Sequence, residues 1–206
     1  MKQSFIIGMF YITGIFFLSF GISLMILSNL GVGPWDALFV GLSINVGLTV
    51  GSWIFIIGFL LIFINAYLMK KTPDFSAVIT IFLVGAFLDM WLEVVFRNIE
   101  IIQLVTQVPV LFVGILFIAL GISTYLQSSF ARNPIDQLMM AIHIRTGKSI
   151  AFSKTVMELT VLTIAFFIGG PIGIGTIVAA VVMGKLIETF YKPVSLFRKN
   201  VCSIIQ

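Results

Sequence analysis

The sequence predicts an all-α integral membrane protein of six transmembrane helices, arranged as two inverted-topology three-helix repeats, each with an extra short proline-started helix. Composition carries the membrane assignment. Of 206 residues, 60% are hydrophobic and 10% charged, whereas a water-soluble domain uses about 25% charged residues to cover its surface. Patterning carries the span count, because six apolar runs approach the roughly 20 residues needed to cross a ~30 Å hydrocarbon core. Self-similarity at an offset of 100 residues carries the duplication.

The first run, Phe5–Leu27, follows Lys2 as the core of a signal peptide would. It exceeds the ordinary apolar core of about 7–15 residues and no small-residue cleavage site follows, so it reads as an uncleaved span. Next comes Pro34–Val46, whose 13 residues make a helix of roughly 20 Å, too short to cross. It is expected at the membrane interface or as a half-helix. Trp53–Met69 and Ala77–Phe96 complete the first half. The second half repeats the order, with spans at Pro109–Leu126, Phe152–Ile168 and Ile172–Phe190 and a short helix at Pro134–Thr146. Residues 1–206 thus read as one membrane domain, with repeat 1 at 1–100 and repeat 2 at 101–206.

Between positions 14 and 47, twelve of 34 residues are identical to those 100 positions later, without a gap. Apolar bias alone gives about three or four. The matches include Gly21 with Gly121, Ser28 with Ser128, Pro34 with Pro134, Asp36 with Asp136 and Gly47 with Gly147. With a one-residue slip, Gly85 and Asp89 fall opposite Gly184 and Glu188. Three spans per copy is an odd number, so the second copy starts on the opposite face of the membrane, as in many transporters.

Lysine and arginine set the expected orientation. With both termini cytoplasmic, ten of these residues lie inside, only Arg97 lies outside, and Lys185 falls within the sixth run. The formal charge of +4 is scattered in short clusters between apolar runs, which suits a bilayer and argues against nucleic acid as a partner. Cys202 is the single cysteine, so no internal disulfide forms, and a plain surface thiol is expected.

The most specific local pattern is Gly33-Pro34-Trp35-Asp36, mirrored by Asn133-Pro134-Ile135-Asp136. Proline pre-organises the first helical position, Gly33 and Asn133 serve as caps, and the aspartates face the positive helix ends. This accounts for both motifs without a ligand. The functional alternative is that the helix starts present Trp35 and Asp36 to a substrate; Arg132 is a ready partner for Asp136. Ionisable groups inside spans are costly and often functional. Glu93 and Arg97 stand four apart in the order that pairs on a helix, and so do Lys154 and Glu158. Asp89 has no local cation and is expected to be protonated, ion-bound or paired across the repeat interface. Lys185 and Glu188 are expected to pair locally or snorkel. His143 has no partner at metal-ligand spacing. No catalytic residue, metal site or cofactor is expected, and an enzyme is the least favoured class.

The stretch Asn29–Asp36 followed by Gly41 and Gly47, and the later Gly173-Ile174-Gly175-Thr176, resemble the bacterial YczE/YyaS/YitT family of small membrane proteins. The chain ends soon after Phe197, so it looks more like the YczE and YyaS branch than the YitT-like members with a soluble C-terminal domain. The resemblance implies a bacterial cytoplasmic membrane location and transfers no site residue. The repeat and its matched acidic residues favour a small-solute or ion transporter in the lipid bilayer. The alternatives are a substrate-binding membrane subunit of a separate energising complex, or a non-transporting regulatory or scaffold membrane protein. A homo-oligomer or a partner membrane protein fits the small-xxx-small patterns at Gly47–Gly51 and Ala180–Gly184.

Overall fold

The computed structural model describes residues 2–128, 130 and 133–204. Arg132, invoked above as the partner of Asp136, lies outside them, and so does the Cys202 side chain. The chain forms eight α-helices among the described residues: α1 Lys2–Ser28, α2 Pro34–Val46, α3 Val50–Met69, α4 Ala77–Asp89, α5 Leu104–Tyr125, α6 Pro134–Thr146, α7 Ile150–Phe167 and α8 Ile174–Ile204. A π-helical turn, Met90–Val95, continues α4, and a short 3₁₀ turn, Leu126–Ser128, continues α5. No strand occurs among the described residues. A helix satisfies every backbone group within its own segment, which an apolar solvent demands.

Stops fall where the backbone takes conformations a helix cannot propagate. Asn29 (φ 55°) and Gly31 (φ 105°) end α1, and Lys70 (φ 52°) ends α3. The starts of α3 and α7 are capped by side chains: Thr49 accepts from the Ser52 N–H at α3, and Ser149 from the Phe152 N–H at α7. Both short helices begin on proline and keep the predicted bounds. Among the described residues, five stretches are long and apolar enough to cross a membrane: Ile6–Ser28, Val50–Met69, Ala77–Val95, Leu104–Ser128 and Ile174–Val201. The fifth predicted run falls on α7, whose 18 residues measure about 27 Å. The protein is therefore helical and multi-pass.

Departures in length from the sequence reading fall at helix ends: α5 starts at Leu104, ahead of the expected Pro109, and the largest is in α8. The sixth run was expected to end at Phe190 in a polar tail, yet α8 continues to Ile204. The extension is held by tertiary contacts: the Phe197 ring lies 6.1 Å from Phe10, and the Arg198 guanidinium donates to the Gln127 carbonyl.

The chain divides into two compact units, each drawing on both halves of the sequence. The first unit holds α1, the π turn, α5, the 3₁₀ turn and α8. Its centre is the antiparallel pair α1 and α5, which approach through glycines. A Cβ on Gly21 would stand 2.6 Å from the Gly114 carbonyl oxygen, and one on Gly114 would stand 2.9 Å from that of Gly21. Gly121 likewise abuts the Gly14 carbonyl oxygen at 2.7 Å. On α8, the Ile187 carbonyl accepts from the Ser123 hydroxyl of α5 at 3.0 Å.

The second unit holds α2, α3, α4, α6 and α7. There α2 packs on α7, where the Asn45 amide donates to the Ile168 carbonyl at 2.6 Å. The short helix α6 packs on α3, where the buried Asn65 amide donates to the Pro134 carbonyl at 2.8 Å. Antiparallel α3 and α4 close on Gly51 and Gly85, whose backbones meet directly.

Candidate functional site

The helix start of α3 and the end of α4 build one polar cluster in the second unit. Asp89 is the last α-helical residue of α4, and the π turn carries the helix on beyond it. The start of α3 supplies its hydrogen-bond donors. The Thr49 hydroxyl donates to Oδ2 at 2.6 Å, and the Gly51 N–H donates to Oδ1 at 2.8 Å. Thr49 Oγ1 lies 2.6 Å from Ser52 Oγ. Since the Thr49 proton goes to Asp89, Ser52 is the donor of that pair. The result is a directed chain, Ser52 to Thr49 to Asp89, anchored on free N–H groups of a helix start.

The close approach of Gly51 and Gly85 permits this geometry: a Cβ on Gly51 would stand 2.2 Å from the Gly85 carbonyl oxygen and 2.6 Å from the Asp89 carboxyl carbon. Beside the cluster opens a groove of about 530 Å³, lined by Leu48, Gly51, Ser52, Phe55, Ile56, Phe82, Gly85, Ala86 and Asp89. Its walls are apolar apart from the Asp89 and Ser52 end.

Of the predicted site residues, Asp89 lines this groove. Its hydrogen-bond donors are a hydroxyl and a backbone N–H from a helix start 40 and 38 residues away, in the same sequence half and not across the repeat interface. Asp36 takes the third position of α2, with a carboxylate oxygen 2.9 Å from where a Gly33 Cβ would stand. The residue as a whole is half-buried, but its carboxyl sits deep enough that burial pushes its pKa up to about 7. The adjacent Trp35 indole N–H is buried and has no hydrogen-bond partner among the described residues.

The mirrored motif behaves differently. Asn133 caps α6 by accepting from the Ile135 N–H at 3.1 Å, Pro134 is buried, and Asp136 is exposed. Lys185 and Glu188 are exposed on α8 and form no ion pair with each other, against expectation. Glu93 and Arg97 do not pair either. Their spacing presumed an α-helix, whereas the Phe96 N–H bonds to the Trp91 carbonyl five residues back, and Arg97 falls in the turn beyond. Lys154 and Glu158 do pair, at 3.7 Å. Sequence reasoning missed Thr49 and Ser52. Their signal was a threonine immediately before an apolar run, the usual mark of a helix cap.

Comparison with known proteins then places the chain. Residues 7–192 match the model of the family described as "Family of unknown function (DUF6198)". The chain belongs to that family. Among its relatives is the Bacillus subtilis (strain 168) protein YyaS, 42% identical over 88% of this chain and 90% of that protein. Another is YczE of the same organism, named a membrane protein, 36% identical over 95% of this chain and 90% of its own length. A more distant relative from Haemophilus influenzae is 27% identical over 84% of this chain and 78% of that protein. No solved structure matches the chain. These relatives agree with the membrane character of the fold and with the expected YczE and YyaS resemblance.

Proposed function

We propose that the protein is a small-solute transporter of the bacterial cytoplasmic membrane, built as an inverted repeat of six spans with both termini cytoplasmic, and not an enzyme. The observation that carries the reading is the Asp89 cluster at one end of an apolar groove. A carboxylate oxygen keeps further acceptor capacity after one hydrogen bond. Asp89 therefore offers an anionic acceptor to a ligand whose apolar body fills the groove. A bare cation is the poorer fit, because hard ions take about six to eight oxygen ligands, and the cluster supplies oxygens from three side chains.

Support for the inverted repeat comes from the α1–α5 pair. Gly21 meets Gly114, and Gly121 meets Gly14, so residues related by the 100-residue offset exchange places across one contact. Such an exchange is the signature of a two-fold relation, and between antiparallel spans its axis lies in the membrane plane. The ten-to-one distribution of lysine and arginine supports the orientation.

The test is flux. Purified protein in liposomes is assayed against a panel of small solutes with an apolar body and a cationic or hydrogen-bond-donating head, with inorganic cations in parallel. The expected result is saturable uptake of one solute class, reduced at least about tenfold by Asp89→Asn, which weakens a charge-assisted hydrogen bond to the ligand. Absence of uptake across the panel, or uptake indifferent to Asp89→Asn, contradicts the reading.

A further inference from the structure

Most span glycines are packed against a neighbouring backbone, but a Cβ added to Gly184 of α8 meets nothing within 4 Å. Around it runs an open stripe at helical spacing: Ile177 (67% exposed), Ala180, Val181 (76%), Gly184, Lys185 and Glu188. A lysine and a glutamate on the outer face of a membrane span are expensive there. Counted from Ile174, Lys185 lies about 16 Å and Glu188 about 21 Å along α8, within a hydrocarbon layer of ~30 Å. Side chains lean towards the helix N-terminus, so both lean away from the nearer polar boundary at Tyr191 and Lys192. Leaning that way hinders relief by snorkelling. Neither forms an ion pair among the described residues.

We propose that this face is the interface with a second copy of the same chain. The charges are self-complementary. About a two-fold axis along the membrane normal, Lys185 of each copy meets Glu188 of the other, with an axial offset of about 4.5 Å that both side chains can span. Ala180 and Gly184 form a small-xxx-small pair, which lets two helix backbones approach closely enough for those bridges to close. The dimer buries two like pairs and leaves no net charge. This surface does not depend on whether the protein carries a solute.

The experiment uses the full chain reconstituted in liposomes, with Cys202→Ser as background. Ala180→Cys is compared with Val113→Cys, which lies on the exposed face of α5 (40%). Oxidation is expected to give a disulfide-linked dimer with Ala180→Cys and not with Val113→Cys. Adding Lys185→Glu sets like charges against each other and lowers the dimer yield at least about tenfold; the double variant Lys185→Glu/Glu188→Lys restores it. Equal cross-linking at both cysteines, no effect of Lys185→Glu, or failure of the double variant to restore the dimer overturns the proposal.

Discussion

Asp36 and Asp89 occupy opposite kinds of site. Asp89 faces a helix start that supplies two donors, while burial raises the Asp36 carboxyl from an ordinary 3.8 to about 7. The consequence for stability has a definite sign. Between those two values the folded chain binds a proton that the unfolded chain has lost, so stability falls as pH rises from about 4 to about 7 and is level above that. Asp36→Asn should flatten that slope, read as thermal unfolding in detergent from pH 4 to 8; an unchanged slope would count against the burial of this carboxyl. Proline and the residues around it were legible in the sequence because ring geometry acts locally, so Pro34 and Pro134 start helices where expected. The partners of Asp89 were not legible. They lie 40 and 38 residues away, and only tertiary packing brings them within hydrogen-bond reach.

Helix pairs in this fold close on glycine. In membranes no hydrophobic drive separates one apolar face from another, so close backbone approach contributes much of the pairing. Gly21 on α1 and Gly51 on α3 each leave less than 3 Å for an added Cβ, and in both the nearest obstructing atom is backbone. Gly21→Ala and Gly51→Ala should each cost about 1–3 kcal/mol by overpacking, while Gly184→Ala should leave monomer stability within about 0.5 kcal/mol. Thermal unfolding of the three variants in detergent compares them directly. Gly51→Ala should also abolish uptake, because it displaces Asp89 from its donors. Two element-scale features escaped the sequence reading for a shared reason. The π turn at Met90–Val95 and the extension of α8 beyond Phe190 leave no trace in periodicity; the contacts of Phe197 and Arg198 with distant residues accompany the second.

At the scale of the molecule, the membrane class followed from composition, and the eight helices from apolar runs and proline starts. The two compact units were not foreseen, because each takes α-helices from both sequence halves. On the proposed duplication, the pairing of α1 with α5 and the gathering of α2, α3, α6 and α7 in the other unit bring corresponding elements together, whereas α4 and α8 fall in different units. The transport reading needs those copies to be inverted, and inversion places the exposed repeat mates Ile44 and Ile144 (70% and 58% exposed) on opposite sides of the membrane. Labelling Ile44→Cys and Ile144→Cys in intact cells, in the Cys202→Ser background and with a membrane-impermeant thiol reagent, measures this directly. The inverted repeat predicts that Ile44→Cys reacts from outside and that Ile144→Cys reacts only after the cells are opened; both reacting from the same side would contradict it.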